Sequence, residues 1–288
     1  MRPAQLSSYR HLIQRLGFGM LTGITLITVI PIVVVVLYIF IQGVPAISLE
    51  FLTGFPRQGM RAGGILPAIV GTFLLTLGTA VFAVPLGIGA GIYLSEYATE
   101  GRLTRLIRLA IINLAGIPSV VYGLFGLGLF VLFLNFGTSI LAASLTLSIM
   151  TLPVIISTAE ESLRAVPQSF RVVSISLGAT RWQTIRRIVL PEALPGILTG
   201  VILGLERAAG ETAPILFTGA AFFLPRLPQS PFDATMALPY HLFVISTQVP
   251  GMPAQIQYGT ALVLLVFVLG MNLLATVIRS RARARRQW

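Results

Sequence analysis

Cysteine and lysine are both absent from this 288-residue chain, and histidine occurs only twice, at His11 and His241. Without cysteine there are no disulfides, thiolate metal sites or cysteine nucleophiles. Without lysine there is no phosphate-loop lysine and no Schiff-base lysine. If phosphate-loop nucleotide hydrolysis drives this protein, another chain performs it. Two isolated histidines, with no His-Glu-x-x-His run, leave little for a metal site or for an intramembrane enzyme. Charge is also scarce: 10% of residues are charged, against about 25% in an ordinary soluble domain. What fills the chain instead is apolar, 55% of all residues. The composition is that of an all-α integral membrane protein.

The formal charge of +11 is carried by 20 basic residues, every one an arginine. Their placement reports topology rather than nucleic-acid binding. Arg2, Arg10 and Arg15 precede the first apolar run. Arg102, Arg105 and Arg108 share one inter-helix segment, and Arg164, Arg171, Arg181, Arg186 and Arg187 another. Arg279, Arg281, Arg283, Arg285 and Arg286 close the sequence. These are the alternate loops of one membrane side. The opposite side carries Arg57, Arg61 and Arg226, with Glu50 and Asp233. The positive-inside rule then puts both termini in the cytoplasm.

A helix needs about 20 apolar residues to cross the hydrocarbon core. The pattern predicts six spans: near 16–42, 64–95, two within 109–159, then 194–220 and 258–278. The third and fourth fold back at Asn135-Phe136-Gly137-Thr138. The first is too long for a signal-peptide core and lacks a small-residue cleavage site, so it reads as retained. One transport domain is expected over 63–280. It is preceded by an N-terminal segment, first span and outer loop over 1–62, and followed by a basic tail over 281–288. Two loops are long. Residues 221–257, rich in Pro and aromatics, suit an outer cap or docking surface as well as an ordinary ordered loop. Residues 160–191 face inward. There Pro167 can open a short helix, Gly178 can end it, and a second short helix fits 181–189 with Trp182, Ile185, Ile188 and Val189 as its apolar stripe. An interfacial helix on lipid headgroups fits that stripe too.

Within the fifth span lie Glu206, Arg207 and Glu211. Ionised groups at membrane depth cost at least a few kcal/mol each, so their presence marks function. On a helix Arg207 and Glu211 share a face, while Glu206 points about 100° away. Gly210 leaves room for close approach. A structural ion pair between helices is the competing reading. The three charges sum to one negative, a poor site for an anion. Either more positive charge arrives from a second chain, or a glutamate is protonated or turned away.

Several runs carry a family resemblance. Gly178, nine residues, then Ile188-Val189-Leu190-Pro191 resembles the second half of the coupling signature of type I ABC-importer permeases. The Glu-Ala-Ala that opens that signature falls here on Val172-Val173-Ser174, so its acidic residue is missing. The runs Gly63-Gly64-Ile65-Leu66-Pro67-Ala68-Ile69-Val70-Gly71-Thr72, Val84-Pro85-Leu86-Gly87, Tyr93-Leu94-Ser95-Glu96-Tyr97 and 116–126 resemble permeases of phosphate-specific (Pst) importers. Arg207-Ala208-Ala209-Gly210-Glu211-Thr212-Ala213-Pro214-Ile215-Leu216-Phe217-Thr218 is similar to their A-type subunit. Together these runs cover roughly residues 63 to 219.

The resemblance implies a MetI-like permease fold in a bacterial inner membrane and half of a phosphate pathway. It implies a PstC-type second permease, a PstB-type ATPase dimer that carries ATP and Mg2+, and a PstS-type external phosphate-binding protein. It also implies that this chain is not itself catalytic and holds no cofactor or metal. Arg207 is expected to contact phosphate, because a guanidinium stays charged and offers forked donors to paired oxygens. Glu211 would orient Arg207 or limit how tightly phosphate is held, with Glu206 and Thr212 in the same pathway. Coupling to the ATPase would fall to Arg171, Ser174, Gly178, Ala179, Arg181, Trp182, Ile188, Leu190 and Pro191. The remaining alternatives are a permease for sulfate, molybdate or phosphonate, and a stand-alone ion-coupled transporter. A single charged cluster and the lack of a repeated pair of broken helices speak against the second.

Overall fold

The computed structural model describes residues 3–284 and, among their side chains, those of 14–277 and 280. The arginines expected to anchor the two ends (Arg2, Arg10 and those from Arg279 onward) and the tail at 281–288 therefore lie outside the described residues or side chains.

Among the described residues the regular elements are helices, apart from a two-residue hairpin pairing β1 (Pro56–Arg57) with β2 (Ala62–Gly63) and a lone parallel bridge between Ala220 and Thr235. Helix α1 (Pro3–Gly43) is followed by the single turn α2 (Leu49–Thr53), capped by the Ser48 hydroxyl. Helix α3 (Leu66–Ile92) ends in a π-turn over Tyr93–Tyr97. Helices α4 (Arg102–Ala115) and α5 (Ser119–Gly126, continued as a π-helix to Phe133) meet at 103°. Next come α6 (Ile140–Arg164), α7 (Gln168–Ser176) and α8 (Arg181–Thr184). A π-turn over Ile185–Val189 joins α8 directly to α9 (Leu190–Gly210). The chain closes with α10 (Ala213–Thr218), α11 (Leu238–Thr247) and α12 (Ala254–Ala284).

Among the described residues five helices are long and apolar enough to cross a membrane, or six when the bent α4–α5 pair is counted as one span. Counted so, the number agrees with the six predicted, and two of the spans differ in shape. The third span is not straight. Pro118 has no N–H and holds Ile117 out of the helical region, so the helix breaks there rather than running to the turn at Asn135. That turn exists as expected, with Asn135 and Gly137 both at positive φ. The fifth span is shifted: its helix starts at Arg181, so residues expected to form a separate short helix are its first turns, and it ends at Gly210 instead of 220.

The loop over 221–257 differs most from expectation. It is not a surface loop along its whole length, because α11 is packed into the bundle. Leu238, Pro239, Tyr240, His241, Val244 and Ile245 are all buried. The Leu238 N–H donates to the Thr72 hydroxyl at 2.8 Å, tying the insertion to α3. Ten residues are too few to span, so hydropathy length alone hid this element.

Helix α6 is the axis of the fold. Along α3, Gly78, Gly87 and Gly91 face Ser144, Ile155 and Ala159 of α6, so the two helices run the same way. Along α9, Gly196, Gly200 and Gly204 face Ser162, Thr158 and Ile155, so α9 runs the opposite way. Lipid offers no hydrophobic drive for helices to associate, and small residues that let backbones approach supply the packing instead. Most buried hydroxyls of α6 find a carbonyl: Thr146 donates to Ala142 O, and Ser148 donates to Ser144 O and to Thr79 O of α3, while the Ser144 hydroxyl has no partner among the described residues.

Two outcomes follow. A Cβ on Gly200 would collide with the Thr158 side chain, whereas one on Gly89 meets nothing within 4 Å. Gly200→Ala is expected to destabilise the purified protein by about 1–3 kcal/mol through overpacking. Gly89→Ala should be neutral or stabilising by up to about 1 kcal/mol, and thermal denaturation in detergent separates the two. His241 is 2% exposed with both ring nitrogens unpartnered, and burial lowers its pKa from 6.5 to about 4. The neutral ring is the folded form, so stability is full above 6.5 and is lost as pH falls towards 4. That loss totals about 3 kcal/mol. His241→Leu, which strands no polar partner, should remove this part of the acid lability when melting curves at pH 7.5 and pH 5 are compared.

Candidate functional site

The charged cluster sits where a long helix stops. Pro214 has no N–H to continue the ladder, and Gly210 is a weak helix former. The chain therefore leaves the helix at Glu211 (φ −74°, ψ 137°) and restarts as α10 at Ala213. Arg207 is thus in the last turn of α9, where the helix dipole favours a cation, and not at mid-span as the apolar run suggested. Helix α10 is held by α5 through Gly123, whose Cβ would meet Phe217 at 2.8 Å and the Pro214 backbone at 3.0 Å. Gly126 packs likewise on Thr146 and Thr218, while Gly128 has open space. The motif at 116–126 and the motif at 207–218, nearly a hundred residues apart, form one contact.

The three charges part company. Arg207 Nε lies 3.4 Å from Glu211 Oε1, a single long contact, with the arginine side chain 41% exposed and the glutamate 17%. Among the described residues the two terminal nitrogens of Arg207 have no hydrogen-bond partner. Nearby on α5, the Tyr122 hydroxyl donates to Leu114 O at 2.8 Å. Leu203, Arg207 and Gly210 form one exposed stripe on α9, and a Cβ on Gly210 would meet nothing within 4 Å. Glu206 points elsewhere, as its helical offset predicted. Its Oε2 accepts from Asn272 of α12 at 3.3 Å, and its Oε1 is buried without a partner. Of the alternatives raised by the net negative charge, a glutamate turned away is the one observed: beside the exposed stripe only Arg207 and Glu211 remain, and they cancel. Thr212 is half-buried at the head of α10, and its hydroxyl makes no capping bond. The void beside Glu211, bounded by Thr72, Thr76 and Ala208, is only about 10 Å³, which is barely one water. That void is too small for a polyatomic anion, whereas the other side of Arg207 is open.

The inward loop forms a second site, anchored by a residue to which the sequence reading gave no role. Glu96, 8% exposed in the π-turn after α3, receives two bonds from Arg171: Nη2 to Oε1 at 2.6 Å and Nε to Oε2 at 3.1 Å. Arg171 also donates to Leu163 O at 2.8 Å and Val166 O at 2.7 Å, capping the end of α6. Arg181 donates to Glu96 O and lies over the Tyr97 ring at 5.0 Å. Ser174 and Thr184 share a buried hydroxyl contact at 2.8 Å that joins α7 to α8. Beside this clamp, Arg108 and Arg164 together bind Glu100 and Glu160. The Glu100 carboxyl is held below the usual range, first by Arg108 and then by Arg164.

The residues expected to dock a partner therefore divide. Arg171 and Ser174 face inward and shape the loop, and Ile188, Leu190 and Pro191 are half-buried at the root of α9. Gly178, at φ +85°, ends α7 as predicted and turns the chain through Ala179 towards Arg181. Trp182 is half-exposed. Val172, Val173, Ile175 and Leu177 complete an exposed apolar surface that the missing Glu-Ala-Ala had drawn attention away from. A signal was present: three uncovered apolar residues on a nine-residue helix and a fourth, Leu177, just past its end.

The fold and its breaks define a class. The model for the binding-protein-dependent transport system inner membrane component matches residues 83–285, and the chain belongs to that family. It is a membrane-embedded permease subunit of the kind that works with ATPase and substrate-binding partners. More particularly, it is 39% identical over 227 residues to the phosphate transport system permease protein PstA 1 of Mycobacterium tuberculosis, covering 78% of this chain and 73% of that one. It is 34% identical over 244 residues to PstA of Xylella fastidiosa, covering 83% of each. It is also 35% identical over 252 residues to the probable ABC transporter permease protein YqgI of Bacillus subtilis, covering 83% of this chain and 85% of YqgI. In fold it resembles a bacterial ABC transporter that imports alginate (TM-score 0.63, 17% identity, 94% of this chain and 99% of that one). It likewise resembles the inward-facing MetNI methionine transporter (TM-score 0.62, 18% identity, 76% and 95%).

The Glu96–Arg171 clamp yields a test. Glu96→Gln leaves a buried arginine without its counter-charge, at a cost of about 3–5 kcal/mol. Trypsin should then cut the 164–187 segment faster than in the parent protein, as followed by mass spectrometry of the fragments. An unchanged cleavage rate would remove the clamp from the account.

Proposed function

We propose that this chain is the A-type permease subunit of an ABC importer for inorganic phosphate and supplies half of the translocation pathway. Arg207 carries the proposal: a permanent cation with uncommitted forked donors, on an exposed stripe where a membrane helix breaks. A structural ion pair would bury and saturate both partners, as Arg171 and Glu96 do. Arg207 is instead loosely paired and open, which is how a transient anion ligand needs to be held. Glu211 offsets its charge at long range and keeps phosphate from binding too tightly to leave. Thr212 offers a spare hydroxyl beside it, and Glu206 supports α12 from outside the pathway.

A site whose own charges cancel needs more positive charge to hold a phosphate dianion. A PstC-type second permease facing the Leu203–Arg207–Gly210 stripe is the source proposed here. The apolar surface of α7 together with Trp182 docks on a PstB-type ATPase dimer, which binds ATP and Mg2+. This chain holds neither. A PstS-type receptor delivers phosphate from outside a bacterial inner membrane, with both termini in the cytoplasm.

Arg207→Ala is expected to abolish ATP-dependent uptake of radiolabelled phosphate by the reconstituted complex while assembly stays intact. Uptake should resist excess sulfate and molybdate. Normal uptake by the mutant at normal protein level would sink the assignment, and competition by sulfate would change the substrate.

A further inference from the structure

A cavity of about 540 Å³ opens beside the Glu96–Arg171 clamp, between the ends of α3 and α6, helix α7 and the start of α8. Arg164, Arg171 and Arg181 line it, with Gln168 and Thr184, against one carboxylate, Glu96. Three positive charges less one leave the lining at +2. The wider cluster is less lopsided but keeps the same sign. Four arginines (Arg108, Arg164, Arg171, Arg181) meet three carboxylates (Glu96, Glu100, Glu160). Arg171 is saturated by Glu96 and two carbonyls. Arg164 reaches Glu100 and Glu160 through Nη2 alone. The excess charge falls on Arg181, whose partners are a backbone carbonyl and an aromatic face. Among the described residues, Nε and Nη1 of both Arg164 and Arg181 are uncommitted.

We propose that this cavity is a second anion site, taking a phosphate-group oxyanion between Arg164 and Arg181. The chemistry fits: forked guanidinium donors match paired phosphate oxygens, and the volume holds the ion together with bridging water. Arg164 belongs to the last turn of α6 and Arg181 to the first turn of the α8–α9 helix. An ion bound to both ties together the two ends of the loop that carries α7 and restrains its movement. On the reading given above, this face of the membrane is where transported phosphate accumulates. Occupancy would then make the loop respond to product. That consequence rests on the proposed function, whereas the binding itself does not.

The source of the oxyanion is either free phosphate or an anionic lipid headgroup, and the experiment separates them. The complex is purified through a tag on this chain and placed in zwitterionic or phosphatidylglycerol-containing nanodiscs. Hydrogen exchange of the 164–189 segment is then followed as inorganic phosphate is added. Phosphate should slow exchange in zwitterionic discs, in the parent and equally in Arg207→Ala. In Arg164→Gln/Arg181→Gln the half-saturating concentration should rise roughly tenfold or more, since charge-assisted contacts are lost. Protection already complete in phosphatidylglycerol discs without phosphate, and lost in the double variant, assigns the site to lipid headgroups. Should the double variant fail to assemble, each single substitution is read the same way. Absence of protection in both kinds of disc overturns the proposal, as does protection that the arginine substitutions leave unchanged. An Arg207→Ala complex that transports normally would instead overturn the pathway assignment and leave this readout standing.

Discussion

The close approach of α3 and α9 to α6 governs everything else in this fold. Burying apolar side chains cannot hold these helices together in lipid, whose tails are as apolar as leucine. Contact between backbones must do it, and glycines on both flanking helices permit that contact. Because α9 is fixed by Gly196, Gly200 and Gly204 against α6, its end at Gly210 is fixed as well. Because α3 is fixed by Gly78, Gly87 and Gly91, Glu96 arrives beside Arg171. Both charged sites are therefore consequences of one packing solution.

The two arginine–glutamate pairs show how differently the same chemistry is used. Arg171 and Glu96 meet through two short bonds, with side-chain exposures of 12% and 8%, and every remaining direction is filled by carbonyls or neighbours. Such a pair fixes geometry. Arg207 and Glu211 meet through one 3.4 Å contact at 41% and 17% exposure, across the point where α9 ends. Geometry there is left for something else to complete. Pair strength distinguishes scaffold from site more clearly than the presence of charge does.

Much of this was legible in the sequence, because membrane spans obey length and charge rules that need no partner. The span count, the turn at Asn135–Gly137, the end of α7 at Gly178 and the divergence of Glu206 from Arg207 all follow from local pattern. What was missed depended on tertiary contact. Pro118 lies in an uninterrupted apolar run, so the size of its bend, 103°, was not legible from hydropathy. Residues 238–247 are too short to span, and only their neighbours reveal that they are buried. Arg171 looked like an offering to a partner because Glu96 lies 75 residues upstream in the chain. The apolar continuity of residues 194–220 concealed the restart at Ala213, which a stricter reading of Pro214 within a span would have placed.

The helix that begins at Arg181 and ends at Gly210 is unbroken, yet it contains a π-turn at Ile185–Val189. A π-turn is a local weakening of the helical ladder at which bending is cheap. From that turn to Arg207 the helix runs about 27 Å at 1.5 Å per residue. The arrangement is a lever with its pivot at the loop and its load at the arginine. A tilt of about 5° at the pivot carries the far end through about 2 Å, enough to make or break a hydrogen bond.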